Sequence, residues 1–162
     1  MGPWYTRAMR PLPLVLLAIA LIAIGALLYK TGPLPVEESH TAQFGDVSLK
    51  LDYATTEAAR ELGLGGRPHI PEDYGMLFVF PKDDFYGFWM KDTLVPLDMF
   101  WLNAQGQVVF IAPDVATSTY PNVFYPLKPA RYVLETAAGF ARAHSIRIGT
   151  PLLLKNFPNV LQ

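Results

Sequence analysis

Cysteine is absent from the 162 residues. Disulfide scaffolds, thiolate zinc sites, iron–sulfur clusters and cysteine nucleophiles are excluded with it. Charge is scarce, at 17% of the chain, and neither sign prevails: 13 basic residues stand against 14 acidic ones. That balance does not suit a nucleic-acid binder held by a broad basic field. Histidine occurs only at His40, His69 and His144, too scattered for a zinc or triad motif. No Gly-x-Ser-x-Gly elbow and no internal repeat is present. No metal and no cofactor is therefore expected. What the chain has in quantity is apolar surface: 51% hydrophobic residues, with 10 Phe, 8 Tyr and 3 Trp. A disordered polyampholyte is excluded and a substantial core is expected.

The longest apolar run is Leu12 to Leu28, broken only by Pro13 and Gly25. A helix of that length covers most of a ~30 Å hydrocarbon core. Trp4, Tyr5 and Tyr29 flank it as interfacial aromatics do, and Arg7 and Arg10 precede it. It reads as a single-pass signal anchor over residues 12–29, with 1–11 in the cytoplasm and the rest outside, periplasmic or at the cell surface. A cleaved signal peptide is the alternative, although Ile24-Gly25-Ala26 is a mediocre cleavage site. Residues 30–42 read as a linker with Pro33, Pro35 and no hydrophobic period. The extracytoplasmic domain is then 43–162. The whole exported part, residues 31–162, holds 10 basic and all 14 acidic residues, a net charge of −4, so a peripheral grip on anionic lipid is not favoured.

Along the domain, residues 44–53 read as one strand, with Phe44 and an odd-numbered alternation of Val47, Leu49, Leu51 and Tyr53. Thr55 or Thr56 caps a short helix, Glu57 to Leu62, which Gly63, Gly65 and Gly66 end. Further strands are expected at 76–80, 85–90, 97–102, 107–112 and 132–135. A helical turn is expected within 136–144, and 146–154 closes the domain. Residues 113–129 read as a Pro-rich loop. The result is mainly β with two short helices, and short connections suggest antiparallel pairing in a sandwich or open barrel.

Asp98 is the most informative candidate. It shares a strand face with Phe100 and Leu102, where an ionised carboxylate is costly unless it is paired. It is either a ligand-gripping or acid/base group, or a buried staple for a loop such as 91–96. Glu135 follows Val133-Leu134 and precedes a helical turn. It is either a favourable charge at a helix N-terminus or the partner of Asp98 in a two-carboxylate site for work on a glycan. Phe85-Tyr86-Gly87-Phe88-Trp89-Met90-Lys91 packs four aromatics into seven residues. One of its faces belongs to the core, and the other could stack on a sugar with Lys91 adding charge. Arg67 follows a glycine-rich turn that lets its guanidinium fold back toward a carboxylate.

These residues lie in a pattern. Gly63-Leu64 with Arg67, Tyr74-Gly75-Met76-Leu77-Phe78, Trp89-Met90-Lys91-Asp92-Thr93, Pro96-Leu97-Asp98 and Val133-Leu134-Glu135 follow one another in order and spacing that resemble domain of unknown function family 192, also called uncharacterised protein family 0127. The chain departs from the family at Gly65, where Met is usual, and at Asp92, where Asn is common. The resemblance implies an antiparallel β-sandwich of jelly-roll type, often behind a signal or anchor, and supplies no reaction. It draws Arg67, Trp89, Lys91, Thr93, Asp98 and Glu135 into one candidate ligand-binding cluster. The expected function is a membrane-anchored extracytoplasmic domain that binds a small or carbohydrate-like ligand, or an envelope protein partner. A carboxylate enzyme acting on an envelope glycan and a structural or assembly protein are the alternatives.

Overall fold

The computed structural model describes residues 40–154. The expected cytoplasmic tail (1–11), signal anchor (12–29) and most of the linker lie outside the described residues. Seven strands form: β1 (His40–Phe44), β2 (Val47–Ala54), β3 (Tyr74–Asp84), β4 (Leu97–Leu102), β5 (Val108–Val115), β6 (Ala130–Ala137) and β7 (Leu152–Leu154). Helix α1 (Glu57–Leu62) joins β2 to β3, and α2 (Phe140–Ala143) follows β6. Thr56 caps α1 through its hydroxyl, which accepts from Ala59 N–H at 3.2 Å.

The strands lie in one sheet in the order β5-β4-β6-β3-β2-β1-β7. Its two edges meet. Gln107 bridges Pro151, Gly149 N–H donates to Val108 C=O at 2.8 Å, and Leu152 N–H donates to Gly106 C=O at 2.9 Å. The sheet therefore curls and closes on itself, which removes its exposed edges. This corrects the antiparallel sandwich of jelly-roll type. There is one sheet instead of two, and β2 runs parallel to β3. The crossover holding α1 makes that possible, because parallel neighbours need a connection of a dozen or more residues.

The interior is filled by side chains from all seven strands, among them Phe44, Leu49, Leu77, Phe100, Val108, Leu134 and Leu152, with Phe140 and Ile146 beside them. Each such side chain stabilises the fold by roughly 1.5–3 kcal/mol. A second cluster lies on the outer face of β3–β6: Met76, Phe78, Leu97, Met99, Trp101 and Val133. Leu64, Ile70 and Met90, from the segments that cross over this face, complete it. This is why all six residues of β4 are buried.

Three local expectations change. The single strand at 44–53 is a hairpin, turned at Gly45-Asp46, so that β1 takes in His40 to Ala42 from the expected linker. The aromatic segment 85–90 is not a strand, and only Phe88 pairs, with Phe124. Its rings pack down on the outer face, and Gly87 lets the loops touch: a Cβ there would stand 2.6 Å from Val123 Cγ1. The helical turn shrinks to α2, because Thr136 and Ala137 continue β6 beside β4.

Candidate functional site

Where α1 and the aromatic segment cross the outer face they leave a cleft of about 640 Å³ between them. One wall is Glu57, Arg60, Glu61 and the turn Leu62 to Gly65. The other is Tyr86 to Trp89, with Lys91 and Thr93. Phe78, Phe80 and Glu135 form the floor. The walls are joined at one end, where Gly66 N–H donates to Asp92 C=O at 2.9 Å.

The aromatic wall is held in place by contacts within the protein. Trp101 Nε1 donates to Tyr86 C=O at 2.7 Å. Tyr86 stacks on Phe80 with ring centroids 3.5 Å apart, and Phe88 meets Phe78 edge-on at 4.8 Å. Trp89 is 48% exposed and rests against Tyr120. On the facing wall the Arg60 guanidinium is committed to Thr55 C=O at 2.7 Å and Val79 C=O at 3.1 Å, and lies over the Phe80 ring. Lys91 makes no ion pair with a described residue.

Glu135 is the unusual group. It is 4% exposed, and its carboxyl forms no hydrogen bond or ion pair with any described residue. Its cross-strand neighbours are Met76 on β3 and Met99 on β4. Burial among these apolar groups pushes its pKa up to about 8. At neutral pH it is a protonated carboxyl facing a cleft, able to donate a hydrogen bond. Gly63 gives it room: φ is +50° there, and a Cβ would stand 3.2 Å from Phe78 Cζ and 3.8 Å from Glu135 Oε2.

The structure thus brings Trp89, Lys91, Thr93 and Glu135 to one cleft, and leaves Arg67 and Asp98 out of it. Arg67 does fold back onto a carboxylate, but that of Asp52. It donates to Asp52 Oδ2 at 3.1 Å and to the Tyr74 hydroxyl at 2.7 Å. Asp98 points the other way from Glu135. Alternation places it with Phe100 on the interior face, whereas Glu135 shares the outer face with Val133. The expected Asp98–Glu135 pair is therefore not formed.

Asp98 acts as a staple instead. Its Oδ1 accepts from Asp114 N–H at 2.7 Å and Gly139 N–H at 3.2 Å, and its Oδ2 accepts from Ala141 N–H at 2.7 Å. Asp114 sits in the bulge where the β4–β5 register slips, at φ +49°. Gly139 and Ala141 open α2, so a carboxylate from a distant strand satisfies helix-end donors that α2 cannot cap itself. Glu135 is not at a helix N-terminus, since α2 begins five residues later. The expected loop for the staple, 91–96, is replaced by 114 and 139–141.

The sequence reading missed the α1 wall, Glu57, Arg60 and Glu61, and the floor residues Phe78 and Phe80. The available signal was the helix itself: a helix between two strands that pair in parallel must lie across the sheet. Among the described residues no cluster of three His, Asp or Glu stands ready to hold a metal ion.

Comparison with known proteins gives relatives of the fold. No curated protein matches the chain. A crystal structure from Sinorhizobium meliloti 1021, provisionally described as a transcription regulator, is 26% identical with a TM-score of 0.67, covering 71% of this chain and 92% of its own. A crystal structure of a protein of unknown function from Novosphingobium aromaticivorans DSM 12444 is 25% identical with a TM-score of 0.64, covering 75% and 90%. A family model described as "Uncharacterized ACR" matches residues 39–154, which include the whole curled sheet and both walls of the cleft, and the chain belongs to that family, DUF192.

Proposed function

We propose that the chain is a membrane-tethered binding module whose outer cleft takes a small, carbohydrate-like ligand. The observation that carries this reading is Glu135, a buried carboxyl without a protein partner that lines an aromatic cleft. Its carboxyl opens onto the cleft rather than being sealed among apolar groups, so a partner from outside can reach it. Trp89 and Tyr86 offer faces for a sugar ring, and the protonated Glu135 offers a donor to a hydroxyl oxygen. The tether is segment 12–29, with the N-terminus in the cytoplasm and the β domain outside. It rests on the sequence of that segment, because no helix among the described residues is long and apolar enough to cross a membrane.

No catalysis is proposed. The carboxylate-enzyme alternative needs two acids flanking one bond, and Asp98 lies on the far side of the sheet from Glu135. The regulator description of the S. meliloti relative is not carried over either, since this chain has no excess of basic residues.

The test is a thermal-shift titration of the full chain with glucose and N-acetylglucosamine, beside Trp89→Ala. A ligand at 100 times its Kd adds about 2.7 kcal/mol to the folded state, a rise of several degrees. The expected result is a concentration-dependent rise that Trp89→Ala abolishes without loss of fold. A rise that survives Trp89→Ala unchanged, or no rise with these sugars or with their amine counterpart glucosamine, overturns the reading.

A further inference from the structure

We infer that the cleft selects a ligand bearing an alkylammonium group, with the cation seated against Glu135 and the carbon frame against the aromatic wall. The inference rests on the reading of this cleft as the ligand site, and narrows its ligand class to an amino sugar or a comparable primary amine.

The argument begins with what faces the floor. From β3, β4 and β6 the groups around Glu135 are apolar: Met76, Phe78, Met99 and Val133. From α1 come two exposed carboxylates, Glu57 and Glu61, and one cation, Arg60. The Arg60 guanidinium is already spent on two backbone carbonyls and the Phe80 face, so it is not free to reach Glu135. From the aromatic segment come Tyr86 and Lys91, and Lys91 stands exposed at the rim.

Two features of this lining attract a cation: a carboxyl at the bottom has no counter-ion, and aromatic faces form the side. At the mouth the charges of Glu57 and Glu61 are offset by those of Arg60 and Lys91. An ammonium carries three donors and no acceptor, which matches an ionised carboxyl that has no donor of its own nearby. A neutral hydroxyl satisfies the protonated acid but gains no cation–π attraction from the aromatic faces. Seating the cation requires Glu135 to give up its proton, which leaves for the buffer as the ammonium enters. Because burial holds that proton up to about pH 8, binding at pH 7 should release nearly one proton per ligand.

The experiment is calorimetric titration of the full chain in a polyoxyethylene detergent, whose headgroup carries neither sugar nor ammonium. Two matched pairs serve as probes: cyclohexylammonium against cyclohexanol, and glucosamine against glucose. Cyclohexylammonium, like a lysine side chain, stays charged throughout the range used. The expected result is tighter binding of the ammonium member of each pair. Release of nearly one proton at pH 7 should appear when buffers of different ionisation heat are compared. The affinity for cyclohexylammonium should rise about 50-fold from pH 6 to pH 8, as Glu135 becomes free to ionise. Glu135→Gln should flatten that rise and remove the preference.

Equal binding within both pairs overturns the inference and leaves the cleft as a ligand site. So does a pH rise that persists in Glu135→Gln, which would mean that Glu135 is not the group that takes the cation. If none of the four probes binds, the reading of the cleft as a ligand site falls and the inference with it. Proton release by the unaltered chain gives an answer even where the variant is hard to prepare.

Discussion

Replacing Glu135 by glutamine should stabilise the protein, by an amount that grows with pH. The carboxyl ionises near its ordinary pKa of 4.5 in the unfolded chain, and only near 8 in the folded one. Below pH 4.5 both states hold the proton and nothing is lost. Between pH 4.5 and about 8 the unfolded chain has released its proton while the folded chain retains it. Folding then takes up a proton from ever scarcer supply, and stability falls by up to about 1.4 kcal/mol per pH unit. Above pH 8 both states are ionised and the loss levels off. Integrated from pH 5 to pH 8 the wild-type chain should lose on the order of 3 kcal/mol through this one group. Glutamine has nearly the same shape and leaves a neutral amide in the same apolar surroundings, so what it removes is the ionisation. The assay is denaturant unfolding of both proteins at half-unit steps from pH 5 to pH 9, plotted as the difference in stability. The difference should open steadily to pH 8 in favour of Glu135→Gln and then level off. Parallel profiles would refute the reasoning, since they would mean that the carboxyl finds a partner or solvent in the folded state.

Two other substitutions separate the staple from the cleft. Asp98→Asn keeps one acceptor oxygen but turns an amide NH₂ toward a backbone N–H, so at least one charge-assisted bond is lost and a buried donor is left open. A destabilisation of about 2–4 kcal/mol in urea unfolding is expected, with the affinity of the cleft unchanged in the folded fraction. Loss of binding in a fully folded Asp98→Asn protein would contradict its place on the interior face. Gly63→Ala puts a Cβ at φ +50° and 3.2 Å from Phe78 Cζ, on the cleft floor beside Glu135. It should cost about 1–2 kcal/mol in stability and weaken ligand binding, and unchanged binding would mean that the ligand does not reach the floor.

Local chemistry was legible wherever one segment decided it. The residues of β4 and of α1 can be read directly, because a strand apolar on both faces but for Asp98 and a Thr-capped, Gly-ended helix need no partner to be recognised. The Gly45-Asp46 turn leaves a signal that was passed over: Phe44 and Val47 are three residues apart, a break of period that one strand would place on opposite faces. The aromatic segment was misread for another reason. Rings that cover an outer face have the same composition as rings in a strand, and only the close approach of Gly87 to Val123 and Tyr125 distinguishes them. The candidate site failed at a different level. Within each strand the facing of Asp98 with Phe100, and of Glu135 with Val133, is a matter of period two and was available from the sequence. What was not available is the register between strands. Asp98 lies opposite Thr136 and Met99 opposite Glu135, so the two acids are one residue out of step across the β4–β6 ladder. A one-residue offset in a pleated sheet sends side chains to opposite faces. It puts Asp98 inside, where three backbone donors need it, and Glu135 outside, where no donor among the described residues meets it. Both acids belong to the pattern that carries the resemblance, and an ordered motif does not tell a carboxylate that holds the fold from one that no protein donor meets. The hydrogen-bond partners of each oxygen do, and they separate two acids that lie on adjacent rungs of one ladder: three backbone donors meet Asp98, and none among the described residues meets Glu135.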